Sequence, residues 1–355
     1  MRAAIQLAQN EINSVGGVNG QKVNVIVDDE GDTPAAAMLA VQDLIRKGVD
    51  AIIGPTSSLN VLSSLSTATH AGVLTCSPTA SAMSLDDFPD KGLFFRTVPS
   101  DSLQALAIAK EVENSGNGSA AVVYLDDAYG RPFERAAVRA MRQRNTKIET
   151  TVAFSATESS IANAVAAIGK VQPRVVVVLA DSASGPAVIR AIDAGAASVQ
   201  PLYIVNDAMR RPDSSAAPFD KRLGARVVGV SPMAYSGDAT FNAALASMDP
   251  GANGLYAANA YDCMNLIALS AQAGGSSRPS SIAGSMVSVS TGGSGCSSFP
   301  TCYEKLRNGL NPDYDGLDQV MSIGSNGDAS EAEFELFSFD ENGRDFNLGP
   351  LTVSG

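Results

Sequence analysis

Apolar residues along the chain alternate between short continuous runs and stripes at helical spacing, and this alternation predicts a regular succession of strands and helices. The segment "AAIQLAQNEIN" at 3–13 places Ile5, Ala8 and Ile12 on one face, so the chain opens with an amphipathic helix, already inside a fold. A leader segment ahead of it would explain such a start. After the turn "GGVNG" the run "KVNVIV" at 22–27 predicts a strand. Thr33 then caps a helix with Pro34 in its first position, and "AAAMLAVQDLIRK" runs on to the terminator Gly48. A strand "AIIGP", a helix over 58–71, a strand "VLTCSP" and a strand "LFFRTV" at 93–98 follow.

The same grammar restarts after "PSDS". A helix at 102–114 leads to the strand "AAVVYL" at 120–125, a helix at 130–143 and the strand "TTVAF". A helix at 159–170, the strand "RVVVVLA" at 174–180, a helix at 185–194 and the strands "LYIVN" and "RVVGV" complete this second array. The remainder holds a long helix at 255–273, a Gly/Ser-rich loop and a late strand "FELFSF", too little for a third domain. The fold class is therefore α/β, with two doubly wound parallel-sheet lobes covered by helices on both faces. In open parallel sheets, ligands bind beyond the carboxyl ends of the strands, so two facing lobes of this kind predict a shared ligand cleft.

Charge and composition narrow the chemistry. The 355 residues carry 25 basic against 37 acidic side chains, a formal charge of -12, and the basic ones are scattered. A nucleic-acid or anionic-membrane partner is disfavoured. No apolar stretch approaches the ~20 residues that cross a bilayer as a helix. The one histidine, His70, lies in the last turn of a predicted helix, where the dipole favours it, so it reads as structural rather than catalytic. With one histidine and no C-x-x-C pair, no metal site and no cofactor are expected. Cys296 and Cys302 flank "SSFPT" at a spacing that can close a small disulfide ring, which implies an oxidising compartment; reduced packing is the alternative. Cys76 and Cys263 fall on apolar faces and read as small buried hydrophobes.

Two strand ends carry a candidate site. "IIGPTSS" offers Thr56, Ser57 and Ser58 where a helix begins, and "CSPTAS" offers Thr79, Ala80 and Ser81 at the next strand end. Helix-start amides with small hydroxyls suit an anion, so the two corners together could grip a carboxylate. Taken singly, each corner could equally be capping its own helix. "DDEGD" at 28–32 lacks the alternating ligands of a calcium loop and reads as a solvated turn; "GSNGD" and "DENGRD" read as β-turns.

The run "NEINSVGGVNGQKVNVIVDDEGDTPAAAMLAVQDLI", followed by "VDAIIGPTSS", "GVLTCSPTAS", "FFRTVPSD", "VVYLDDAYG", "YAANAYDCMNLIAL" and "FDENG", resembles in order and spacing the extracellular solute-binding proteins of branched-chain amino-acid ABC importers. The likeness runs over essentially the whole chain, without the family's first strand and loop. It implies a type I periplasmic binding fold: lobe I from 1–98 with 232–321, lobe II from 99–231 with 322–355, joined by a three-strand hinge that closes on a ligand in the cleft. It implies further that Ser58, Thr79, Ala80 and Ser81 hold the ligand's carboxylate, that Tyr129 covers its apolar part, and that Asp207 pairs with its α-ammonium group. Asp207 stands where the family often has glutamate, and Asp181 is a weaker candidate at a strand end where the family usually places a larger group. The expected protein is a non-enzymatic monomer, periplasmic or extracellular after loss of a signal peptide, and able to carry a lipid anchor. Its partners would be an amino acid or related small carboxylate and a membrane permease. The rival readings are a ligand-sensing regulator of the same fold and, less favoured, a Rossmann-type enzyme, for which no glycine fingerprint follows any strand.

Overall fold

The computed structural model describes residues 1–195, 199–211, 218–318, 321–330 and 332–351. The chain forms two compact units, the first from 1–100 with 234–332 and the second from 101–233 with 333–355. The stretch 322–332 therefore folds with the first unit, where the sequence grouped it with the second lobe.

The first unit begins with α1 (Arg2–Ser14), which buries Ala4, Ala8 and Ile12. The strand expected at 22–27 is not one. Its backbone is held by side chains of α1 instead: the Val23 amide donates to Asn13 Oδ1 at 2.8 Å, and Asn13 Nδ2 and Gln9 Nε2 donate to the Val23 carbonyl at 2.9 and 3.0 Å. Val23 and Val25 still pack on the core, while Ile26 and Val27 are exposed, so alternation is present without a ladder. Next comes α2 (Pro34–Arg46), whose N-cap Thr33 accepts from the Ala36 amide as expected. β1 (Ala51–Ile53), α3 (Ser58–Ala71), β2 (Leu74–Ser77) and β3 (Phe94–Arg96) follow, the strands forming a parallel sheet in the order β1-β2-β3. His70 lies in the last turn of α3, exposed, its Nδ1 2.6 Å from the Ser66 carbonyl.

The second unit runs through α4 (Asp101–Asn114), β4 (Ser119–Leu125), α5 (Gly130–Gln143), β5 (Lys147–Phe154), α6 (Glu158–Val171), β6 (Val175–Leu179), α7 (Gly185–Gly195), β7 (Leu202–Val205), α8 (Lys221–Gly224) and β8 (Val227–Pro232). The chain then returns to the first unit with α9 (Ala239–Met248), α10 (Ala257–Ala273), α11 (Pro279–Val289), β9 (Ser294–Cys296), α12 (Phe299–Arg307) and β10 (Pro312–Tyr314). It ends in the second unit with β11 (Phe334–Phe339) and β12 (Asp345–Leu351). The sheet order there is β12-β11-β8-β7-β6-β4-β5, parallel except for β11, which runs antiparallel to both its neighbours. Every residue of β6, "VVVVL", is buried, as a strand covered on both faces requires.

In the first unit the core gathers on α10, whose Tyr261, Met264, Leu266 and Leu269 are buried. Cys263 on the same helix corrects the reading of two free cysteines: it is bonded to Cys76 of β2, 187 residues away in sequence, with Cα atoms 5.9 Å apart. Cys296 and Cys302 are also bonded, Cα to Cα 5.4 Å. Asp262, between Tyr261 and Cys263, is buried and accepts a 2.6 Å hydrogen bond from the Tyr314 hydroxyl of β10.

Candidate functional site

The two hydroxyl corners of the first unit converge. β1 ends at Ile53, and Gly54, with φ +108°, donates its amide to the Cys76 carbonyl at 2.8 Å, which ties the start of the first corner to β2. Three further bonds stitch the corners together. Ser77 Oγ donates to the Pro55 carbonyl at 2.7 Å, Thr79 Oγ1 donates to the Thr56 carbonyl at 2.7 Å, and the Ala82 amide donates to Ser58 Oγ at 3.2 Å.

The first corner is held by an acid. Glu30 Oε2 accepts from the Thr56 amide at 2.8 Å, and Oε1 accepts from Thr56 Oγ1 at 2.7 Å and from Asn60 Nδ2 at 3.1 Å. This corrects the reading of "DDEGD" as a solvated turn: Asp28 and Asp29 are exposed, but Glu30 is half-buried and bonded to the α3 entry. Ser57 occupies the N-cap position of α3 in an extended conformation, yet its side chain makes no capping bond.

The second corner is held by a base. Arg96, on β3, is fully buried, and its Nη1 donates to the Ala80 and Ala82 carbonyls at 3.3 and 3.2 Å. Its other nitrogens meet both oxygens of Asp328, Nε to Oδ1 at 2.7 Å and Nη2 to Oδ2 at 2.9 Å, and Nη2 also donates to Asp86. Ser100 Oγ donates to the same Asp86 carboxylate at 2.9 and 3.0 Å. A guanidinium is suited to this, since its planar donors serve carboxylates and carbonyls at once. The sequence reading passed over Arg96, because an arginine inside the apolar run "LFFRTV" looks like an exposed strand position.

These bonds sort the six candidates. Thr56 and Thr79 spend their hydroxyls on the corners themselves, and the Ala80 amide donates to Ser77 Oγ at 3.1 Å. Among the described residues the hydroxyls of Ser57 and Ser81 make no hydrogen bond. Ser58 Oγ accepts one bond and keeps its proton to donate. What the pair of corners can offer a ligand is therefore three small alcohol donors, Ser57, Ser58 and Ser81.

In the second unit Asn206 organises the candidates. It is fully buried at the end of β7; its Oδ1 accepts from the Ala180 amide at 3.0 Å, and its Nδ2 donates to the Tyr129 hydroxyl at 2.8 Å. Tyr129 enters α5 beside Asp127, whose Oδ1 accepts from the Tyr129 and Gly130 amides at 2.9 and 2.7 Å, and its ring meets Phe133 edge-on at 5.9 Å. Asp207 follows Asn206 directly and is buried at the start of a short 3-10 turn. Tyr129 is thus bonded to the asparagine that immediately precedes Asp207. Asp181 is committed elsewhere: it is exposed, and its Oδ1 accepts from the Ala183 amide, the Ser184 amide and Ser184 Oγ at 3.0, 2.7 and 2.8 Å, the pattern of a carboxylate capping the start of α7. Neither Asp127 nor Asn206 was singled out by sequence as a residue that positions the site.

The model of a family described as "Receptor family ligand binding region" matches residues 1–342. Among curated proteins, "Glutamate receptor 3.1" of Oryza sativa subsp. japonica is 28% identical over 210 residues, which is 58% of this chain and 22% of that protein. A "Leu/Ile/Val-binding protein" of Rhizobium johnstonii is 32% identical over 129 residues, 36% of this chain and 34% of that protein. The chain thus spans about a third or less of these relatives in the aligned stretches. Among solved structures, an ABC transporter substrate-binding protein from Desulfitobacterium hafniense in complex with Leu superposes with a TM-score of 0.74 at 19% identity, covering 98% of this chain and 95% of that one. A leucine-binding protein from Thermotoga maritima gives 0.76 at 14% identity, covering 99% and 93%. These likenesses show the type I periplasmic binding protein fold, α/β with parallel sheets.

Proposed function

The chain belongs to the receptor family ligand binding region family, and from that premise we propose that it is the extracytoplasmic solute-binding component of an ABC importer, taking an amino acid or a related small carboxylate. The observation that carries this reading is the set of hydroxyls still able to donate, those of Ser57, Ser58 and Ser81, on two corners stitched into one surface. Neutral donors on a rigid backbone hold a carboxylate without the entropy cost of ordering long side chains. Tyr129 and Asp207 supply the apolar cover and the partner for an ammonium group. In this reading its role is binding rather than catalysis, and its partner is a membrane permease. Support for an exported location comes from the two disulfides, which persist in oxidising compartments.

A second reading is a ligand-sensing region of a larger receptor, favoured by the match to the rice glutamate receptor. A thermal-shift screen of amino acids, keto acids and aromatic acids tests the solute class. A solute at a thousand times its dissociation constant is expected to add about 4 kcal/mol of stability, and the gain must shrink in Ser81→Ala. Failure of every small carboxylate to stabilise the protein would overturn the proposal.

A further inference from the structure

Glu30 places a negative charge on the surface that is proposed to receive a carboxylate. Both its oxygens serve as acceptors, from the Thr56 amide, the Thr56 hydroxyl and the Asn60 amide, as an ionised carboxylate would. Among the described residues no lysine or arginine pairs with it; the neighbouring Lys47 pairs with Asp28 and Asp43. Glu30 thus stands at the entry to α3, and a head group received by the first-turn amides and small alcohols of this corner would lie beside its charge.

We propose that Glu30 is a positioning and selectivity residue: it locks the first corner, and its charge restricts the site to singly charged head groups, carboxylates rather than doubly charged phosphonates or phosphates. The inference rests on the solute class proposed above. Two like charges brought onto one small surface repel strongly where water is excluded, and a site that discriminates commonly does so by such a repulsive element. A dianionic head group adds one more charge than the corner accommodates. Glu30→Gln keeps the shape and can keep an acceptor on Thr56 while removing the charge, whereas Glu30→Ala removes the lock as well.

The experiment uses the whole chain at pH 8 with L-leucine, L-isoleucine and L-alanine, each against the 1-aminophosphonate in which the carboxylate is replaced. Dissociation constants are read by calorimetry for the unaltered protein and for Glu30→Gln, Glu30→Ala and Ser81→Ala. The expected result is a carboxylate preference that falls by about tenfold in Glu30→Gln, about 1.4 kcal/mol. Glu30→Ala is expected to weaken carboxylate and phosphonate alike. If the carboxylates bind, depend on Ser81 and show the same preference in Glu30→Gln, the inference fails and the solute-class reading stands. If none of the three carboxylates binds, the inference fails for want of its ligand class, and the solute-class reading falls only if the keto acids and aromatic acids of the thermal-shift screen fail as well.

Discussion

The two corners of the first unit have nearly the same sequence, Gly-Pro-Thr-Ser-Ser against Ser-Pro-Thr-Ala-Ser, and opposite means of support. At the first, a carboxylate takes up donors of the turn: Glu30 holds the Thr56 amide and hydroxyl and the Asn60 amide. At the second, a guanidinium takes up acceptors: Arg96 holds the carbonyls of Ala80 and Ala82. The first corner is left with fewer free donors, and the second is left with its carbonyls turned inward and Ser81 uncommitted. Similar turns therefore present different faces to a ligand, because the charge behind each selects which half of the peptide groups is already used.

The largest effect that should separate the corners is the loss of Arg96. Arg96→Met strands Asp328 and Asp86 and frees two buried carbonyls, and removing one member of a buried ion pair typically costs about 3–5 kcal/mol. Urea unfolding should show that loss, whereas Glu30→Gln should cost far less; equal losses would mean the two supports are equivalent. A companion case is Asp262, a buried carboxylate of the same unit with no cation partner among the described residues. Burial pushes its pKa up to about 7 against the Tyr314 hydrogen bond, which alone would lower it. A carboxyl with a raised folded pKa contributes stability that is fully present below its ordinary value of 3.8 and is lost as pH rises through about 7. Melting curves should show the protein losing stability relative to Asp262→Asn between roughly pH 4 and 7, and a constant difference across that range would show that Asp262 does not titrate there.

Smaller effects bear on the ligand. Ser81→Ala and Ser58→Ala are each expected to weaken a carboxylate solute by about 1–3 kcal/mol, measured by calorimetry. Thr56→Val and Thr79→Val, whose hydroxyls are spent on the protein, should lower stability by about 1 kcal/mol with a lesser effect on affinity. If the threonine variants lost more affinity than the serine variants, the sorting of committed and free hydroxyls would be wrong.

The helix limits around Thr33 and Pro34, the parallel strands of the second unit and the positions of both hydroxyl corners were legible in the chain. Each depends on residues within one turn or one run: a cap, a fixed φ, an alternation. The strand at 22–27 was misread for the same reason, since Val23 and Val25 have the alternation of a strand while Asn13 and Gln9 of α1 hold the Val23 backbone. β12 was missed because "DFNLGPL" contains glycine and proline and pairs at an edge, where they are tolerated.

The sequence by itself determined where strands end and helices begin, and so where small hydroxyls could face a ligand. Only the tertiary structure decided which of those hydroxyls are free, through Glu30 reaching Thr56, Arg96 reaching Asp328, and Cys76 reaching Cys263. Local patterns record the preference of each residue for a backbone shape. Which donor meets which acceptor depends on segments brought together from far along the chain, and no spacing in the sequence encodes that meeting.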